Sequence, residues 1–285
     1  MASEIAPVAP MKPAQQQITV YSHSALFYWW PVWLIGFILA ILTLIDHHLL
    51  AVVPSSAQAF TNVTGPGGEK GEGIIVLKKA GNEILPRDDN GNQPAQPRLY
   101  VARSKNYGVT FTIAILLIIF ITNVPLRGMW SVLVVVLIIT GVTILVLAGY
   151  WERILITFHM LDIRINLGGY LFLSTGLLLI WLIAFFYFDR QVYITFTPGQ
   201  IRVQTEVGDG EKVYDAFGMT LEKQRSDFFR HWILGMSFFG IGTGDLVIRT
   251  AGAQNHIFDL PNVIGVEGKI RAIEQLLQTK EVNIN

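Results

Sequence analysis

Gly168–Phe188 reads GGYLFLSTGLLLIWLIAFFYF and passes through Asp189-Arg190 directly into Gln191-Val-Tyr-Ile-Thr-Phe196. The first part is uncharged and apolar over the roughly 20 residues that a spanning helix needs. The second alternates and is rich in β-formers, which is the pattern of a half-buried strand. The fold is decided at this junction, where a membrane region gives way to a β-rich domain.

Working back toward the N-terminus, three more uncharged apolar stretches appear at 24–45, 106–126 and 129–151. With 168–188 they predict four spanning helices, because only helices satisfy every backbone polar group within one segment in lipid. Pro125, Arg127 and Gly128 mark a tight turn between the second and third. Tyr28, Trp29, Trp30, Trp33, Trp130, Tyr150, Trp151 and Tyr187 lie near span ends, where aromatic rings prefer the headgroup layer. Residues 1–23 hold only Glu4 and Lys12 as charges and several prolines, so they predict a flexible tail with the first helix retained. Residues 46–105 form a polar loop rich in Gly, Pro, Asp and Asn, with a small hairpin predicted from Ile74–Leu77 and Glu83–Leu85. Leu155, Phe158, Leu161 and Ile165 share one helical face, which suits an interfacial helix or an extension of the third span.

Toward the C-terminus, residues 189–280 predict a small antiparallel domain, followed by a short tail at 281–285. Thr197-Pro-Gly-Gln200 is a turn between two strands, and Glu211–Tyr214 opens a third. Asp245–Thr250 and His256–Leu260 read as a later strand pair, closed off by Pro261 and Gly265. Val266, Ile270, Ile273 and Leu277 then recur at helical spacing. The fold class is therefore α+β, with a four-helix transmembrane region followed by a small antiparallel β domain and a C-terminal helix.

Composition removes several functions. Hydrophobic residues make up 52% and charged residues 15%, far from the composition of a disordered chain. Lys+Arg and Asp+Glu are both 21, so no net charge argues for nucleic acid as a partner. Cys is 0, which removes disulfides and thiolate chemistry. Asp46-His47-His48 is the one acidic–histidine cluster, and its position just past a span reads as a polar helix end rather than a metal site. Gly240-Ile-Gly-Thr-Gly244 precedes a strand, unlike a phosphate-binding glycine loop that opens a helix. No catalytic residue, metal ligand or cofactor is expected. No Asp, Glu, Lys or Arg lies at the centre of a span, which argues against a proton-coupled transporter. Thr112, Thr140, Thr143, Ser174 and Thr175 with Gly36, Gly141 and Gly176 suit close helix packing.

Three pieces of the domain carry a resemblance to a family: YITFTPGQIRVQTEVGDGEKVYDAF from Tyr193, Gly240–Thr250, and His256–Val263 running into the helix Lys269–Leu277. Over residues 191–279 the chain resembles the bacterial pleckstrin-homology-like domain family of small membrane proteins. The resemblance implies a strongly bent seven-stranded sheet capped by one helix, attached to membrane helices and usually cytoplasmic, here at the bacterial inner membrane; it does not imply an enzyme. Met219–Phe239 departs from the family in its aromatic content. Arg225, Phe228, Phe229, Arg230, Trp232, Phe238 and Phe239 are the candidate residues for contact with the bilayer surface or a neighbouring protein, with a domain-core role as the alternative. Residues 189–285 carry 10 basic against 12 acidic residues, which is a poor match to a polybasic lipid-binding patch.

The positive-inside rule favours the opposite orientation, since Arg98, Arg103 and Lys105 flank the second span on the loop side. The expectation carried forward keeps the domain cytoplasmic. The expected function is a non-enzymatic integral membrane subunit for assembly or scaffolding, whose partners are membrane lipids, further copies of itself or other membrane proteins. A channel or transporter component is the first alternative, and a membrane-embedded enzyme or lipid-handling protein the second.

Overall fold

The computed structural model describes residues 17–53, 57–65, 67–75, 96–124, 128–204, 210–224, 227–237, 240, 242–250 and 256–282. The helices are α1 (Trp30–Asp46), α2 (Asn106–Asn123), α3 (Met129–Leu147), α4 (Trp151–Met160), α5 (Leu167–Ile183) and α6 (Val266–Val282). A 3-10 turn at Ala25–Trp29 leads into α1, and α5 continues through Ala184–Phe188 and Asp189–Gln191. Four helical stretches are long and apolar enough to cross a membrane: Ala25–Asp46, Asn106–Asn123, Met129–Leu147 and Leu167–Gln191. They overlap the four spans expected from the sequence, but the third stops at Leu147 instead of 151, because the chain turns at Gly149 and Trp151 opens α4. The 152–167 segment forms α4 in its first part.

The strands are β1 (Ile18–Tyr21), β2 (His48–Leu50), β3 (Gln58–Thr64), β4 (Lys70–Ile75), β5 (Leu99–Val101), β6 (Tyr193–Thr197), β7 (Gln200–Gln204), β8 (Lys212–Asp215), β9 (Thr220–Gln224), β10 (Thr243–Arg249) and β11 (Ile257–Ile264). The described residues fall into two compact units. Those within Met1–Leu34, Ile113–Leu155 and Thr175–Asn285 form one, and those within Ile35–Thr112 and Ile156–Ser174 form the other.

The first unit contains the β domain. One antiparallel sheet has the order β1-β6-β7-β8 and the other the order β11-β10-β9. Core residues alternate along β7, as a one-sided sheet requires, whereas β10 is buried from Thr243 to Ile248. Ile194, Phe196, Ile201, Val203, Leu246 and Ile248 face inward, and α6 covers them with Val266, Ile273 and Leu276. Residues 18–21, expected within a flexible tail, are a full member of the sheet. Val20 is buried in the core, and the Thr19 and Thr195 hydroxyls meet at 3.0 Å across the β1–β6 pair. Residues 1–16 lie outside the described residues.

β11 also runs further than expected, through Pro261 and Asn262 to Ile264. A register shift opposite Gly244 to Leu246 makes room for a bulge, the position in a sheet where a residue without N–H is tolerated. Asn262 takes φ +57° there, a left-handed conformation that asparagine adopts more readily than most residues.

The second unit is held together by helix contacts and two short ribbons. β2 pairs with β5, and β3 pairs with β4 around the Gly65–Gly68 turn. Ile74 and Ile75 therefore belong to a hairpin that pairs backward to β3, while the predicted partner stretch at 83–85 lies outside the described residues. Asp46 Oδ2 accepts the backbone N–H of Arg103 at 3.3 Å, so this carboxylate caps a loop at the helix end. Among the described residues no three His, Asp or Glu side chains converge as metal ligands. Phe111 and Tyr170 are fully buried and meet edge to face at 5.4 Å. Gly108 lies against the Ile163 carbonyl, where an added Cβ would sit 2.1 Å from the oxygen.

That backbone contact has no flexible end to move aside. Gly108→Ala is expected to destabilise the chain by about 2 kcal/mol, in the range of overpacked sites. Thermal melting in detergent against the wild type measures it, with Gly176→Ala, a mid-helix glycine that faces open space, as the comparison that lacks the clash.

Candidate functional site

The segment following β9 folds into one tight π-helical turn, Phe229–Leu234, which presents two faces. Its inner face is polar. His231 is buried, with Nδ1 3.2 Å from Thr243 Oγ1 and 3.3 Å from the Tyr28 hydroxyl, and Nε2 3.5 Å from Asp245 Oδ2. Tyr28, in the turn that precedes α1, donates to Asn262 Oδ1 at 3.0 Å and also meets Thr243 Oγ1 at 3.0 Å. Asn262 donates its backbone N–H to Asp245 Oδ1 at 2.9 Å and its Nδ2 to the His23 carbonyl at 2.8 Å. The bulge, the π-turn and the entry to α1 thus share one buried network. Burying these groups is tolerable because they satisfy one another.

Gly235 is required beside this network. A Cβ there would lie 2.3 Å from Thr243 Oγ1 and 2.5 Å from the His231 carbonyl oxygen. Asp227 caps the turn, accepting the Arg230 N–H at 3.0 Å, and pairs with Arg230 Nε at 3.2 Å. Arg230 Nε also reaches the Ile121 carbonyl near the end of α2, at 3.3 Å. Arg230 is therefore mostly buried and engaged within its own unit, and reads as a brace.

The outer face is aromatic. Phe228 stacks on Trp232 at 5.0 Å with planes 15° apart, and Phe229 meets Phe228 edge-on at 5.9 Å. Trp232 is 51% exposed. Beside them lies a cavity of about 280 Å³, bounded by Asp227, Phe228, His231 and Trp232 on one side and by Ser131 and Val132 of α3 on the other. The aromatic pair therefore stands next to the first turn of a span, whose Met129 and Trp130 are also exposed. Of the seven residues singled out from the sequence, Phe228, Phe229, Arg230 and Trp232 come together in this turn. Arg225, Phe238 and Phe239 lie outside the described residues. Tyr28, Asp245 and Asn262 were missed, and their one signal was an asparagine following a proline inside a strand-like run.

A second cavity in the same unit, about 520 Å³, is lined by Tyr21, His23, Phe185, Asp189, Arg190, Ile264 and Lys269. His23 stacks on Phe185 at 5.2 Å. Its imidazole is pushed down to about 4 from the usual 6.5, chiefly by burial and then by the nearby Lys269 ammonium, with a hydrogen bond to the Asn262 backbone opposing both. Burial also lowers the Lys269 ammonium.

Tyr28→Phe is expected to cost about 1–2 kcal/mol, because it leaves buried partners short of a hydrogen bond; equilibrium unfolding in detergent measures it. For His23, the unfolded imidazole takes its proton near 6.5 and the folded one only near 4, so stability declines as pH falls between those values. Melting curves of wild type and His23→Gln are expected to keep a constant separation above about pH 6.5. Toward pH 4 the wild type loses up to about 3 kcal/mol relative to the variant. Tyr21, Asp189, Arg190 and Lys269 line the same cavity and are common to both proteins, so the difference reports the imidazole together with its coupling to Lys269. Comparison of the chain with family models, with curated proteins and with solved structures finds no match.

Proposed function

We propose that this chain is a non-enzymatic integral membrane subunit that assembles with further copies of itself or with other membrane proteins. In this reading its β domain is pleckstrin-homology-like and faces the cytoplasm at a bacterial inner membrane. The observation that carries the proposal is α3. It is apolar enough to span, with mean hydropathy 2.8, yet only 6% of that span is buried within the chain. Spanning helices associate through close van der Waals packing, favoured by small residues. Gly141 lies in mid-helix with open space where a side chain would project, and Thr140 and Thr143 flank it. The buried network around Tyr28 and His231 supports the same reading, because its polar groups are turned toward one another and brace the domain.

The absence of cysteine makes the test clean. Leu137, Gly141 and Ile144 share one face of α3, and Ile139 lies opposite. Leu137, Ile139 and Ile144 are nearly equally exposed, at 60%, 61% and 58%, so the chain itself gives no reason for a difference between faces. Single-cysteine variants at the four positions are oxidised in native membranes and resolved by mass. The expected result is efficient cross-linking, to a second copy or to one co-purifying chain, at Leu137→Cys, Gly141→Cys and Ile144→Cys but not at Ile139→Cys. Weak and equal cross-linking at all four, with a monomeric mass in lipid nanodiscs, would falsify the proposal.

A further inference from the structure

The cavity between β1, the end of α5 and the start of α6 holds polar groups that the chain leaves unanswered. Asp189 is 4% exposed; Ser24 hydrogen-bonds its carboxyl through both backbone and side chain, the N–H reaching Oδ1 at 3.1 Å, while Oδ2 has no partner. His23 is 8% exposed, and its Nδ1 has none either. A neutral imidazole that carries its proton on the other ring nitrogen offers Nδ1 as an acceptor. Two buried acceptors without a donor, on residues that line one cavity, call for a donor-rich group. An unsatisfied buried acceptor costs about 1–3 kcal/mol, more when charged.

The same cavity carries positive charge that its own carboxylate does not neutralise. Lys269 and Arg190 line it together with Asp189, and no ion pair joins either cation to that acid among the described residues. The space between them has room for a small group, at about 520 Å³. Its location sets what is at hand. Asp189 and Arg190 belong to the last turn of the span Leu167–Gln191, so the cavity lies where hydrocarbon gives way to headgroups. Phe185 and Ile264 supply an apolar wall.

We propose that this cavity binds the headgroup of an amine-bearing zwitterionic phospholipid, of the phosphoethanolamine class. The ammonium donates to Asp189 Oδ2 and His23 Nδ1, and the phosphate lies against Lys269 and Arg190. The chemistry discriminates among headgroups. A quaternary ammonium has no N–H to give and leaves both acceptors unanswered. A glycerol headgroup brings the phosphate without the cation, and a serine headgroup brings a second carboxylate toward Asp189. The site is independent of the assembly reading above, since every residue that forms it belongs to one chain.

The test uses the full chain in nanodiscs made from equal parts of phosphatidylethanolamine, phosphatidylcholine and phosphatidylglycerol. After exchange into detergent, the lipid retained per chain is identified by mass spectrometry. The wild type is expected to keep phosphatidylethanolamine about tenfold over either competitor, the ratio expected for one or two charge-assisted hydrogen bonds. Asp189→Asn keeps an acceptor for Ser24 and removes the charge, so it is expected to abolish that preference while phospholipid is still retained. Lys269→Gln is expected to reduce retention of all three. Melting temperature confirms that each variant is folded, and Lys269→Met serves if Lys269→Gln is not. Equal retention of the three lipids by the wild type, or variants that keep its preference, would overturn the proposal. Stabilisation of lipid-free chain by soluble phosphoethanolamine or inorganic phosphate, without enrichment of the lipid, would make the ligand a solute and overturn it as well.

Discussion

The first unit depends on Asn262. A left-handed residue in a strand bulge turns its backbone N–H out of the ladder, and a buried N–H needs an acceptor. Asp245, on the neighbouring strand, supplies it. The same bulge frees the Asn262 side chain to work in two directions, accepting from Tyr28 and donating to the His23 carbonyl. One irregular residue in the sheet thereby holds the chain just before the first span. Pro261 beside it contributes its carbonyl to Ser22 Oγ and to the His23 N–H.

This arrangement explains why polar side chains gather where a membrane protein has least water to spare. The entry to α1 and the π-turn at Phe229–Leu234 each end a regular element, and each leaves backbone or side-chain groups to be answered. Trp30 Nε1 donates to the Leu234 carbonyl and Trp181 Nε1 to the Phe27 carbonyl, so indoles at the start of α1 and within α5 serve the same purpose. Aromatic rings at span ends are usually described by their affinity for headgroups. Here Trp30 and Trp181 also act as donors to specific carbonyls.

Much of the architecture was legible in the residues. Four uncharged stretches gave four spans because length and apolarity act locally, one segment at a time. The strand pairs β6–β7 and β10–β11 and helix α6 were legible for the same reason, through turn residues and periodicity. What escaped was non-local. Ile18–Tyr21 is too short to announce itself, and its place in the sheet is set by a partner far along the chain. The same holds for the meeting of Tyr28, His231 and Asn262, which only the fold brings together. Nothing near Asp189 in sequence indicates that His23 and Lys269 share its cavity. The aromatic run at Phe228–Trp232 was visible by composition, whereas the engagement of Arg230 with Asp227 and the Ile121 carbonyl was not.

The pairing of β1 with β6 has a consequence for how the chain is threaded. Hydrogen-bonded strands occupy the same side of a bilayer, so the number of crossings between Tyr21 and Tyr193 is even. Four candidate spans satisfy that parity, and any single span that fails to insert would strand the two partners in different compartments. The sheet thus acts as a check on topogenesis. Its first strand leaves the ribosome early and waits, unpaired, until the whole membrane region has been placed and the remaining strands arrive. Closure of the domain is therefore a late event, and a chain with wrong topology is marked by a β domain that lacks an edge.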